Sequence, residues 1–147
     1  MKIGIASDHK GFELKSQLIK SLFLPDFDIQ WKDLGCASVD RCDYPPLAAD
    51  LCKKLIAGKI EYGILICGSG VGMSIAANRF AGIYAALVWN EKVATMAKEA
   101  DNANVLVLPA EFVSFAQAQE IIRDWIEAKF KGGRYKKRLD MIDENKK

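Results

Sequence analysis

Histidine is nearly absent: His9 is the only one in the 147 residues. That leaves little for a zinc site, and the four cysteines, Cys36, Cys42, Cys52 and Cys67, form no C-x-x-C pair. No metal or other cofactor is expected. Half the residues are apolar, enough for a sizeable core, so a disulfide framework is not expected either. The cysteines read as free thiols of a reducing, cytoplasmic compartment. Net charge is almost absent as well. A balance of +2 gives no footing for nucleic acid or an anionic membrane as partner. No apolar run reaches membrane-spanning length, and the first residues read as a strand rather than a signal peptide. Repeats, low-complexity stretches and long linkers are missing too, which points to one domain over residues 1–147.

What is present is an alternation of strand and helix patterns. Lys2–Ser7, Asp28–Leu34, Tyr62–Cys67, Ile83–Trp89 and Asn104–Leu108 read as strands. The fourth, like the third, is expected to be buried. Between them run helical stripes: Leu14, Leu18, Ile19 and Leu22; then Leu47, Leu51, Cys52 and Leu55 behind Pro45-Pro46; then Val93, Met96, Ala97 and Ala100. Ser114 and Gln117 form a capping box for a last long helix with Ala118, Ile121, Ile122, Trp125 and Ile126 inward. Gly132-Gly133 is expected to end that helix, before a basic helical tail to Lys147. The order predicts an α/β fold: a three-layer, Rossmann-like, doubly wound sheet of five parallel strands with a C-terminal helical tail. Ligands of such sheets sit beyond the carboxyl ends of the strands. Asp8-His9, Cys67–Gly72, Asn90 and the stretch after Ala100 are expected at that edge.

The densest chemistry lies in Cys67-Gly68-Ser69-Gly70-Val71-Gly72, between the third strand and a short helix. Glycines at alternate positions bare the backbone N–H groups of the turn, which can hold a phosphate or an oxyanion. A thiol entering such a turn is expected to be stabilised as thiolate. The plainer reading of Cys67 is a small apolar residue ending a strand, since buried free cysteines are usually inert; its place directly before the cradle favours function. The spacing is not G-x-G-x-x-G, and no Lys-Ser/Thr pair makes a P-loop, so a nucleotide site is improbable. Asp8 serves equally as a helix cap or a ligand group. Arg134 and Arg138, four apart, would share a helix face and could clamp a phosphate, although a solvated basic tail is the commoner outcome.

Together, Asp8-His9-x-Gly11-Phe12, Asp43-Tyr44-Pro45, the block from Cys67 to Arg79 and Gly132-Gly133-Arg134-x3-Arg138 resemble the ribose-5-phosphate isomerase B family, which also contains galactose-6-phosphate isomerase subunits. The resemblance spans the chain. It implies a metal-free aldose–ketose isomerase that interconverts ribose 5-phosphate and ribulose 5-phosphate in the pentose phosphate pathway. Cys67 would be the base that forms a cis-enediolate, and the backbone at Gly68, Gly70, Val71 and Gly72 would bind substrate and hold its oxygens. Ser69 would bind and relay a proton. Asp8 would bind hydroxyls and His9 the phosphate. Tyr44, Arg134 and Arg138 would come from the partner of a homodimer with shared sites, with tetramers an open option.

The pattern departs from the family in three places. Ala100 stands where a ring-opening histidine is usual, Asp101 replaces the next asparagine, and Glu111 stands where a further phosphate-side arginine is sometimes found. Asp101 is a candidate for substrate binding, and ring opening is expected to rely on Asp8 or Asp101, on a water, or on the small open-chain fraction in solution. An isomerase of a galactose, allose or tetrose phosphate and a non-catalytic sugar-phosphate binding module remain alternatives; a redox-sensing thiol protein is a weaker one.

Overall fold

The computed structural model describes residues 1–145; the expected tail's Lys146 and Lys147 lie outside it. Five strands, β1 (Lys2–Ser7), β2 (Gln30–Asp33), β3 (Tyr62–Cys67), β4 (Ala85–Leu87) and β5 (Val105–Pro109), form one parallel sheet in the order β2-β1-β3-β5-β4. Apolar residues of α1 (Phe12–Ser21), α4 (Glu91–Asp101) and α5 (Phe115–Glu127) share one core with Ile3, Ile5, Ile64, Ile66, Leu106 and Leu108. Those of α2 (Tyr44–Ile56) and α3 (Val71–Ala77) share the other with Ala6, Leu65, Cys67, Val105 and Val107. The period of two along each strand thus feeds two separate cores, so the central strands read as unbroken apolar runs. Neighbouring β1 and β3 send their following helices to opposite faces. The crevice of the sheet therefore opens between Asp8 and Cys67.

The edges differ from expectation. The second strand is shorter than Asp28–Leu34. The fourth spans three half-buried residues instead of the buried Ile83–Trp89. Its free edge is occupied by a side chain: the Asn78 amide donates to the Ala85 carbonyl and accepts from its N–H, both at 2.9 Å, as another strand would. On α4 the buried stripe is Ala94, Ala97 and Lys98, and Met96 faces outward, 62% exposed. The capping box of α5 is present as expected, but that helix ends at Glu127, ahead of Gly132-Gly133. The glycines instead precede α6 (Arg134–Asp143).

Among the described residues two lysines are buried, Lys15 and Lys98. Lys15 reaches from α1 to the Asp33 carboxylate and the Cys36 carbonyl, both at 2.6 Å, and so ties down the loop beyond β2. Lys98 instead lies 3.9 Å from the Tyr62 ring centroid and 4.5 Å from that of Trp125. Burial pulls its pKa from 10.5 down to about 8. The unfolded chain therefore holds this proton to higher pH than the folded one does. The penalty is complete below pH 8 and fades as pH rises to 10.5, at most about 3 kcal/mol. Lys98→Met is expected to stabilise the protein by up to about 3 kcal/mol at pH 7. Its lead over wild type should shrink between pH 8 and 10 in denaturant titrations.

Candidate active site

Cys67 ends β3 on the face covered by α2 and α3, beneath the glycine turn. Gly70 adopts φ +79°, and a Cβ there would lie 2.3 Å from a methyl of Leu87, so conformation and space both demand glycine. That turn brings the N–H groups of Met73, Gly70 and Gly72 onto the Cys67 sulfur. The expected thiolate is not stabilised on balance, however. Burial raises the thiol pKa above its ordinary value more than these three donors lower it, and the Asp8 carboxylate adds to the rise. Ser69 is exposed at the turn, with its hydroxyl accepting from the Val71 N–H at 3.2 Å. It borders an open cleft of about 330 Å³ with Leu87, Trp89, Pro109 and Phe112.

Across the crevice, Asp8 is 7% exposed and accepts through Oδ1 from the N–H groups of Lys10 (3.0 Å) and Gly11 (3.2 Å). The capping role and a ligand role are thus compatible, since Oδ2 remains for a hydroxyl. Gly11 is fixed by close approach: a Cβ would stand 2.9 Å from the Ile66 carbonyl. His9 Nδ1 accepts from the Cys42 N–H at 3.3 Å, so in the neutral ring Nε2 carries the proton and can donate to an anion. Cys42 is no base. Burial and a hydrogen bond with Cys36 push its pKa up to about 11.

Tyr44 corrects the expectation that it arrives from a partner. Its ring lies against Gly72 of its own chain, where an added Cβ would sit 2.6 Å from Cζ. An unforeseen pair also closes the other side of the crevice. Lys10 Nζ lies 3.1 Å from Glu111 Oε1, over Gly68.

Residues 3–142 match the sequence profile of the Ribose/Galactose Isomerase family. The chain belongs to that family. It is 45% identical over 141 residues to a probable ribose-5-phosphate isomerase B of Mycoplasma pneumoniae, covering 95% of this chain and 91% of that one. A ribose 5-phosphate isomerase structure from Thermotoga maritima superposes with TM-score 0.92 at 40% identity, covering 97% of both chains. One from Mycoplasma genitalium, solved with bound ribulose 5-phosphate, gives 0.88 at 41%, covering 97% of this chain and 94% of that one.

Within this family member, the remaining expected site residues do not join Cys67. Asp101 was expected at the carboxyl edge. It ends α4, which starts at the carboxyl end of β4 and returns to the beginning of β5, so it stands at the amino edge. There it is exposed and lines a cavity of about 440 Å³ with Tyr84, Ala103 and Leu139. The α6 helix packs at the same end through Leu139 and a Tyr84–Asp143 hydrogen bond. Arg134 and Arg138 are exposed and gather at the Tyr135 ring, 4.9 and 5.8 Å from its centroid. Asp8, His9, Tyr44 and Cys67–Gly72 thus form one cluster, with Asp101, Arg134 and Arg138 on the other side of the same subunit.

Proposed function

We propose that the protein interconverts ribose 5-phosphate and ribulose 5-phosphate through a cis-enediolate, as a cytoplasmic enzyme of the pentose phosphate pathway. The observation that carries this reading is the Cys67 sulfur beneath three N–H donors at the sheet crevice of a ribose/galactose isomerase family member. The Cys67 thiolate takes the C2 proton of the open-chain aldose. Electrons move into the carbonyl, giving an enediolate across C1 and C2. Return of the proton to C1 with collapse to the C2 carbonyl completes the isomerisation. The Gly68–Gly72 backbone receives the developing oxyanion, and Ser69 Oγ passes a proton between the two oxygens. Asp8 Oδ2 binds a hydroxyl, Tyr44 walls the sugar side, and His9 Nε2 donates to the phosphate.

In this reading the whole chain, 1–147, acts as one domain in a homodimer with shared sites. Arg134 and Arg138 clamp the phosphate in the partner's site, and Asp101 reaches the sugar there. Val71 and Ile75, four apart on α3, are 50% and 57% exposed, as a face awaiting another chain would be. No helix among the described residues is long and apolar enough to cross a membrane.

Following ribulose 5-phosphate formation between pH 7 and 9 tests the reading. Because burial raises the Cys67 pKa, kcat/KM is expected to climb with pH, by up to about tenfold per unit. No turnover of ribose 5-phosphate at any pH would overturn the assignment. Turnover of an allose, galactose or tetrose phosphate in its place would move it to that substrate.

A further inference from the structure

We propose that Lys10 is a phosphate-anchoring residue of this site, paired with Glu111 until an anion arrives, and that the Glu111 carboxylate weakens anion binding by competing for it. This rests on the isomerase reading for the identity of the substrate, but not for the anion site itself. Lys10 follows His9 beyond the end of β1, and Glu111 lies beyond the end of β5. β3 runs between those strands, so the two side chains meet over its carboxyl end. Their contact is 3.1 Å, and the side chains are 54% and 50% exposed. They cross at Gly68, where an added Cβ would lie 2.8 Å from Lys10 Cδ and 3.0 Å from Glu111 Oε1. Glu111 is held from below as well, since its N–H donates to the Gly68 carbonyl at 3.0 Å.

An ion pair this exposed adds little to folding stability and is easily exchanged for another anion. Its position is what has consequences. The Gly70, Gly72 and Met73 donors converge on the buried Cys67, so the reacting end of the sugar lies inside. Lys10 and His9 lie outside, on the same loop, where the charged end of a bound sugar phosphate would emerge. A phosphate dianion attracts the ammonium more strongly than one carboxylate does. Lys10 then turns to the ligand on its flexible stem, as lysine does more readily than a rigid guanidinium. Glu111 has the opposite effect on its own. Its charge opposes the phosphate and competes for the ammonium, an effect that Lys10 offsets while present and that is unmasked when Lys10 is removed.

Lys10→Met, Glu111→Gln and the double variant separate these effects, with KM and kcat for ribose 5-phosphate and the dissociation constant of inorganic phosphate as readouts. Lys10→Met should raise KM and the phosphate dissociation constant about tenfold, with the change falling on KM rather than kcat. Glu111→Gln should lower both about threefold. The double variant should recover part of the Lys10→Met loss, because the unmasked carboxylate is gone, and Lys10→Arg should restore most of the binding. A folding defect would not move the two single variants in opposite directions. Both constants staying within twofold of wild type in Lys10→Met would overturn the proposal. Absence of isomerase activity in wild type would instead sink the substrate assignment, with phosphate binding still reporting on Lys10.

Discussion

Replacing Cys67 by alanine should lower kcat on ribose 5-phosphate by about 10³-fold or more while leaving ribulose 5-phosphate binding within a few fold. The sulfur is the one group at the crevice able to take a carbon-bound proton from within the ring of backbone donors. Asp8 has one carboxylate oxygen committed to the Lys10 and Gly11 amides, and His9 Nδ1 is occupied by Cys42. Neither stands in for the thiolate. Cys67 is 5% exposed in a core that includes Ala6, Met73 and Ala48, so alanine fits and should cost only about 1 kcal/mol of stability. Exchange of the substrate C2 proton with solvent deuterium should fall in step with turnover. Cys67→Ser should be nearly as impaired, because a hydroxyl in the same cradle ionises far less readily than a thiol. More than a tenth of wild-type activity in Cys67→Ala would remove the thiol from the proton-transfer step.

The central architecture was legible because β3 and β5 are apolar throughout and every connection is long enough for a helix. Boundaries failed where apolar residues are buried for another reason. Ile83 and Val88 flank β4 and are buried in the two cores, at 1% and 0% exposed, yet the strand between them spans only three residues. On α4, small alanines carry the contact and the larger Met96 faces out, so hydrophobicity alone put the stripe one residue out of phase.

The same division holds at the site. The glycine turn could be read because Gly70 and Gly72 meet local demands, one conformational and one of space. Donors near Cys67 were equally visible, but the burial that outweighs them is a property of two packed helices. Asp101 was misplaced because the direction of α4, not the residue's own chemistry, decides which edge of the sheet it reaches. Tyr44 against Gly72 and Lys10 against Glu111 are meetings between distant segments, which no local pattern encodes.

Mixing two impaired variants, Cys67→Ala and Arg138→Ala, should restore about a quarter of wild-type activity at low substrate if the homodimer shares its sites as proposed. The expectation follows from where the chain puts its functional groups. Cys67 lies at the carboxyl edge of the sheet, whereas Arg134 and Arg138 lie on α6, packed at the amino edge near Tyr84 and Asp101. No side-chain rotation carries an arginine around its own subunit, so a phosphate bound near His9 can be clamped only by another chain's α6. In a 1:1 mixture that exchanges subunits freely, about half the dimers pair one chain of each variant. Each mixed dimer has one site with both defects and one site with neither. Arg138→Ala alone should lose affinity mainly, through the missing charge-assisted bonds to phosphate, with KM rising about tenfold or more. The assay is therefore run with ribose 5-phosphate well below the variant's KM. Recovery should track the fraction of mixed dimers across mixing ratios, reaching its maximum at equal amounts. Activity that never exceeds the sum of the two separate variants, with subunit exchange verified by mass, would place all the groups of a working site within one chain.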